Sequence, residues 1–93
     1  MSIELNRQIV RTENLMSARV DNEMVILNMP KNSYIGLNEI ALRIWDLLEV
    51  PSRVDELCNR LGREFEAATE QIESDLLPFL EELKQEGLIR IVD

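Results

Sequence analysis

The 93-residue chain has no histidine, a single cysteine, only three glycines and no long apolar run, and each shortage closes off a class of function. Without histidine, the side chains available in quantity for proton transfer are carboxylates. Pairs such as Asp75 with Glu82, or Glu81 with Glu82, stand without a nucleophile dyad or a metal-ligand cluster, and acid-rich helices are usually solvated faces. No catalytic residue, metal site or cofactor is therefore expected. Gly36 and Gly62 are isolated and make no phosphate-cradling loop. Cys58 has no partner for an intrachain disulfide, which fits a reducing compartment, and its spacing with Val54, Leu57 and Leu61 predicts a buried thiol. No stretch approaches the roughly 18 apolar residues of a membrane span, and Met1 to Val10 has no charged-then-apolar signal pattern. The expectation is a cytoplasmic protein with no membrane partner.

What is present is enough for one modest core: 45% of the residues are hydrophobic, and no repeat, low-complexity tract or flexible linker divides the chain. One domain over residues 1–93 is expected. The net charge of −8 is uneven. Residues 1–36 hold four basic and four acidic side chains, whereas residues 37–93 hold six and fourteen. An acidic surface of this kind repels phosphate backbones and anionic membranes, so nucleic acid is not an expected partner.

Leu15 to Val20 and Met24 to Met29 flank Asp21-Asn22, a dipeptide suited to a two-residue hairpin turn. A second turn at Met29-Pro30-Lys31-Asn32 sets proline where φ near −65° is wanted and an asparagine able to adopt the left-handed region, and Ser33 to Leu37 returns antiparallel. Sequential strands usually neighbour each other, so the third lies at the edge of a meander with its outer N–H and C=O groups unpaired. Met24-Val25-Ile26-Leu27 is apolar on both faces, which predicts cover on more than one side of the central strand.

Three helices follow, over about 38–49, 53–65 and 69–86. Asn38 caps the first, whose stripe is Ile40, Ala41, Ile44, Trp45 and Leu48, with Trp45 expected in the core. Ser52 and Asp55 approximate a capping box for the second, whose inner stripe is Val54, Leu57, Cys58, Leu61 and Phe65; Gly62 weakens its last turn. The third spans Pro78, which should bend it, and stops at Gly87. Its core direction is Ile72, Leu76, Phe79 and Leu83, and Leu77 and Leu80 extend the stripe to one flank beside Glu73 and Lys84. Those two leucines either pack on the first helix or wall a groove; the sequence leaves both open. Leu88 to Val92 can add a short C-terminal strand. The fold class is thus α+β: a three-stranded antiparallel meander sheet over about 15–37, then a three-helix bundle in a winged helix-turn-helix-like order.

A DNA-reading role fits that order but not the side chains. The third helix carries Glu70, Glu73, Asp75, Glu81, Glu82 and Glu86 against Lys84 alone. The stronger lead is a peptide added as a strand to the edge of Ser33, Tyr34, Ile35, Gly36 and Leu37, with its side chains in a groove of Leu76, Leu77 and Leu80 flanked by Lys84, and Glu73 and other acids drawing a basic residue. Tyr34 and Ile35 point to opposite faces, and either can meet the groove. The rival is a structural or dimerisation module using the same edge.

The runs Met24-Val25-Ile26-Leu27-Asn28, Ser33-Tyr34-Ile35-Gly36-Leu37-Asn38-Glu39 and Ile44-Trp45-Asp46-Leu47-Leu48, with Asp75 to Leu83 and Glu86-Gly87-Leu88-Ile89, resemble the PqqD family. The resemblance covers about Ile9 to Val92 and is nearest the stand-alone recognition elements of lasso-peptide pathways, in which Ile9-Val10-Arg11, Glu13-Asn14-Leu15 and Glu56-Leu57-Cys58 also look familiar. It implies a non-catalytic domain that binds the leader of a ribosomally made precursor at the third strand, against the third helix. It also implies delivery to a separate cysteine-protease-type leader peptidase; the family's other branch serves a radical SAM enzyme as a peptide chaperone. A monomer or weak dimer is expected. Asn32 stands where family members often have glycine, and Ala68-Thr69 where they often have aspartate-proline.

Overall fold

The computed structural model describes residues 3–13 and 15–92; Asn14, one of the residues carrying the resemblance, lies outside them. In chain order the elements are β1 (Gln8–Arg11), β2 (Met16–Val20), β3 (Glu23–Asn28), β4 (Ser33–Leu37), α1 (Glu39–Leu47), β5 (Ser52–Arg53), α2 (Val54–Glu64), α3 (Thr69–Gln85) and β6 (Ile89–Ile91). The architecture is α+β, as the sequence indicates. The meander is an antiparallel sheet in the order β2-β3-β4, so β4 is an edge strand. Asp21 at φ 56° turns the first hairpin, and Asn32 at φ 52° closes the second, its N–H bonded to the Met29 carbonyl at 3.1 Å.

A second antiparallel sheet, ordered β5-β1-β6, joins the two ends of the chain. The C-terminal strand finds its partner here, with Ile9 opposite Ile91 and Arg11 opposite Ile89. The N-terminal segment also corrects the reading of the α2 start. No capping box forms: Arg53 occupies the cap position and its guanidinium pairs with the Asp55 carboxylate instead of capping the helix start, and the Ser52 hydroxyl donates to the carbonyls of Val50 and Leu47. The first N–H groups of the helix, those of Val54 and Asp55, instead donate to the carbonyls of Arg7 and Leu5 at 3.1 and 2.9 Å, so backbone from a distant segment satisfies the helix start.

The core lies between the meander and the helices, around Ile26, Leu37, Trp45, Leu48, Leu61, Leu80 and Leu83. Asn38 caps α1 as expected, accepting from the Ala41 N–H at 2.9 Å. Ile40, assigned to the inner stripe of α1, is exposed, and Leu42 is buried in its place. Among the described residues the meander is covered on one face only: Met24 and Ile26 point into the core, while Val25 and Leu27 sit exposed on the outer face. Gly62 does more than loosen a turn. A Cβ there would stand 3.0 Å from the Ala67 carbonyl oxygen, so glycine lets the α2–α3 connection fold back and close the Ala67 N–H to Gly62 carbonyl bond at 2.9 Å.

Helix α3 continues through Pro78, which faces solvent. It ends in a Schellman arrangement: the Leu88 N–H reaches the Leu83 carbonyl at 2.9 Å, the Gly87 N–H reaches Lys84 at 3.0 Å, and Gly87 takes φ 74°. Cys58 is buried in α2, and burial pushes its thiol up to about 11, with the charges of Glu73 and Asp55 adding to the effect. Far below that value the thiol stays protonated. At pH 8 the folded protein should therefore react with an aromatic disulfide reagent roughly two orders of magnitude more slowly than the urea-unfolded chain, by absorbance of the released thiolate.

Candidate functional site

The free edge of β4 can be resolved residue by residue. Val20 opposite Glu23 closes a two-residue hairpin as a hydrogen-bonded pair, and alternation then directs the backbone groups of Glu23, Val25 and Leu27 towards β2. Met24, Ile26 and Asn28 therefore bond to β4, engaging their partners Leu37, Ile35 and Ser33. The N–H and C=O groups of Tyr34 and Gly36 are left pointing out of the sheet. These are the groups an added strand would meet.

Side-chain directions follow the same alternation. Ile35 and Leu37 share the core face with Ile26 and Met24; Ile35 is half-buried and Leu37 buried. Tyr34, 72% exposed, lies on the outer face beside Leu27. Ile35, not Tyr34, thus faces the helices.

The flank of α3 turned towards the sheet is marked by its C-terminal contacts. Asn28, a buried polar side chain, donates through Nδ2 to the Glu86 carbonyl at 2.8 Å and to its carboxylate at 3.0 Å. Lys31 donates to the Gln85 carbonyl at 2.8 Å and lies 3.9 Å from the Glu86 carboxylate. At about 100° per residue, Ile72, Asp75, Phe79 and Glu82 share this flank with Glu86. A cleft of about 430 Å³ opens where β4 runs into α1, and Asn38, Ile40, Ile44, Ile72, Asp75 and Phe79 are among its walls. Its lining is mainly apolar, with Asp75 at the rim accepting from Gln71 Nε2.

The ten expected site residues therefore separate into three groups. Ser33, Tyr34, Ile35, Gly36 and Leu37 form the edge strand. Leu76 and Leu80 are core residues with almost no accessible surface. Glu73, Leu77 and Lys84 lie on the other flank of α3, where the Ile3 N–H donates to Glu81 and the charge of Glu73 is felt by Cys58 on α2. The expected groove wall is corrected accordingly: the helical stripe was centred on the Phe79 side, whereas the buried line is Leu76, Leu80 and Leu83. Ile72 and Phe79, assigned to the core by spacing, are half-buried and face the cleft. Phe65, placed in the α2 stripe, is exposed and also lines it.

Among the described residues there is no group of three or more histidine, cysteine, aspartate or glutamate side chains placed to hold a metal ion. Among the described residues no helix is long and apolar enough to cross a membrane. No curated protein matches the chain. A solved structure described as TbiB1 in complex with the TbiA(beta) leader peptide is similar to it, with 31% identity, a TM-score of 0.76, and coverage of 87% of this chain and 94% of that one. Residues 23–89 match the family described as coenzyme PQQ synthesis protein D, and with the edge strand, hairpins and helices in place across that span the chain belongs to the PqqD family.

Proposed function

We propose that this chain is a recognition protein without catalysis of its own, which binds the leader of a ribosomally synthesised precursor as a strand added to β4 and presents it to a separate leader peptidase in lasso-peptide biosynthesis. The observation that carries the proposal is the unpaired edge of β4 in a fold shared with a protein solved holding a leader peptide. Tyr34 and Gly36 offer two donors and two acceptors, and four such bonds contribute about 2–6 kcal/mol net. Micromolar binding needs about 8 kcal/mol after the cost of association, so side chains must supply the rest. The cleft of Ile72, Phe79 and Ile40 suits apolar or aromatic leader residues, and Asp75 with Glu82 suits a basic one. Membership of a family described by coenzyme PQQ synthesis supports a second reading, carried by the resemblance of the sequence to that branch, in which the same edge holds a precursor for a radical SAM maturase.

The test is a titration of isotopically labelled protein with a synthetic leader from the precursor encoded beside this chain's gene. Amides of Tyr34 and Gly36 should shift together with those of Asn38, Ile72 and Phe79, while Leu77 and Lys84 stay still. Unsaturable shifts, or shifts centred on Leu77, would sink the edge model. Side-chain variants sharpen it: Phe79→Ala should weaken binding about tenfold or more, in the range of an interface anchor, and Leu77→Ala less than about twofold, by calorimetry. Whether a peptidase or a radical enzyme processes the bound precursor separates the two readings.

A further inference from the structure

The meander has a second open edge. Strand β2 bonds to β3 on one side and, among the described residues, to no strand on the other, and all five of its residues are exposed. It stands clear of the body over a cleft of about 530 Å³ walled by Trp45, Arg11 and Asp46, and an ion pair between Arg19 and Asp46 at 2.8 Å tethers it to α1. Natural edges are commonly blunted by proline, a bulge or a charge, and Met16-Ser17-Ala18-Arg19-Val20 has no proline, lysine or bulge, while its one charge, Arg19, is turned to the Met24 face and already paired with Asp46.

We infer that β2 pairs antiparallel with β2 of a second copy across a twofold axis at Ala18, making a six-stranded sheet that leaves both β4 edges open. Three observations select a second copy. The first is backbone parity: since Val20, Ala18 and Met16 engage β3, the outward groups belong to Ser17 and Arg19. Ser17 of one copy then exchanges two hydrogen bonds with Arg19 of the other, and the twofold repeats them. The second is a polarity pattern symmetric about Ala18. Met16, 58% exposed, falls opposite Val20 of the second copy, 69% exposed, on the outer face; the small Ala18 falls opposite itself, where a non-hydrogen-bonded pair brings side chains closest. The third is charge. The segment 1–36 is neutral with four charges of each sign, whereas 37–93 carries −8, so pairing through β2 joins neutral halves and keeps the acidic helices apart.

The pairing is independent of leader binding and is tested without a peptide. Sedimentation equilibrium should show a mass that rises with concentration from one chain towards two. Ser17→Pro removes an outward N–H that β3 does not use, so it should hold the chain monomeric at every concentration and leave circular dichroism unchanged. A second variant does not depend on weakening anything: Ala18→Cys places two thiols across the axis within disulfide reach, and mild oxidation should give a covalent dimer at least about tenfold faster than Val25→Cys on the same face. The buried Cys58 does not compete. A mass of one chain throughout, a dimer that Ser17→Pro leaves intact, or equal cross-linking at positions 18 and 25 would each overturn the pairing. Because β4 takes no part, leader binding by the Ser17→Pro protein should equal that of the wild type.

Discussion

Gly36→Pro should cut leader affinity by at least about thirtyfold while the protein melts within a few degrees of the wild type. The argument rests on which way one N–H points. The Gly36 amide faces away from β3, so proline removes no bond of the sheet; it deletes a donor the incoming strand needs and sets its ring in that strand's path. Loss of one bond, with the partner carbonyl of the peptide left unsatisfied, costs about 1–3 kcal/mol, and the steric block adds to it. Gly36→Ala is the control. A Cβ at this position meets nothing within 4 Å and φ lies outside the left-handed region, so alanine should bind like glycine. Ile35→Pro should behave in the opposite sense, because the Ile35 amide bonds to Ile26 inside the sheet and its loss destabilises the fold itself. Calorimetric titration alongside thermal melts checks all three. Wild-type affinity for Gly36→Pro would remove β4 as the docking edge.

How far the sequence could be read depended on how local the determining interaction is. The hairpins were legible because Asp21 and Asn32 carry their turn geometry in their own side chains, and α1 because Asn38 bonds three residues ahead. The edge at Ser33 to Leu37 followed from strand order alone. The second sheet was not legible, since β1 and β5 are too short for periodicity and form because the two chain ends meet. The same long-range backbone explains the missing capping box at Ser52: carbonyls 47 and 50 residues upstream of their donors, at Arg7 and Leu5, do what a side chain was expected to do. On α3 the error was one of rotation. A stripe with apolar residues at 72, 76, 77, 79, 80 and 83 spans about 160° of the helix circumference, wider than one packing contact, so spacing cannot choose which edge of it faces the sheet. The contacts that choose are Asn28 and Lys31 with the C-terminal end of α3, where side chains bond to backbone carbonyls distant in sequence.

The largest stability effect is expected at Leu80, a residue whose apolar position could be mistaken for a groove wall. Its side chain is wholly buried between Leu76 and Leu83 along the core line of α3. Leu80→Ala removes that burial and leaves a cavity the helix cannot close without moving against α2, at a cost of about 2–5 kcal/mol. For a domain with a total stability of about 5–15 kcal/mol this is a large share. The urea midpoint should fall accordingly with the slope unchanged, since the same surface is exposed on unfolding. Leu80→Glu goes further, because it sets a carboxylate among the apolar side chains of the core cluster, and the variant should not fold. Loss of leader binding in that protein would therefore report on the core rather than the cleft, and Phe79→Ala is the variant that reads the cleft. A Leu80→Ala protein with the wild-type urea midpoint would show that α3 is rotated away from the arrangement described, and with it the assignment of Ile72, Asp75 and Phe79 to the face beside β4.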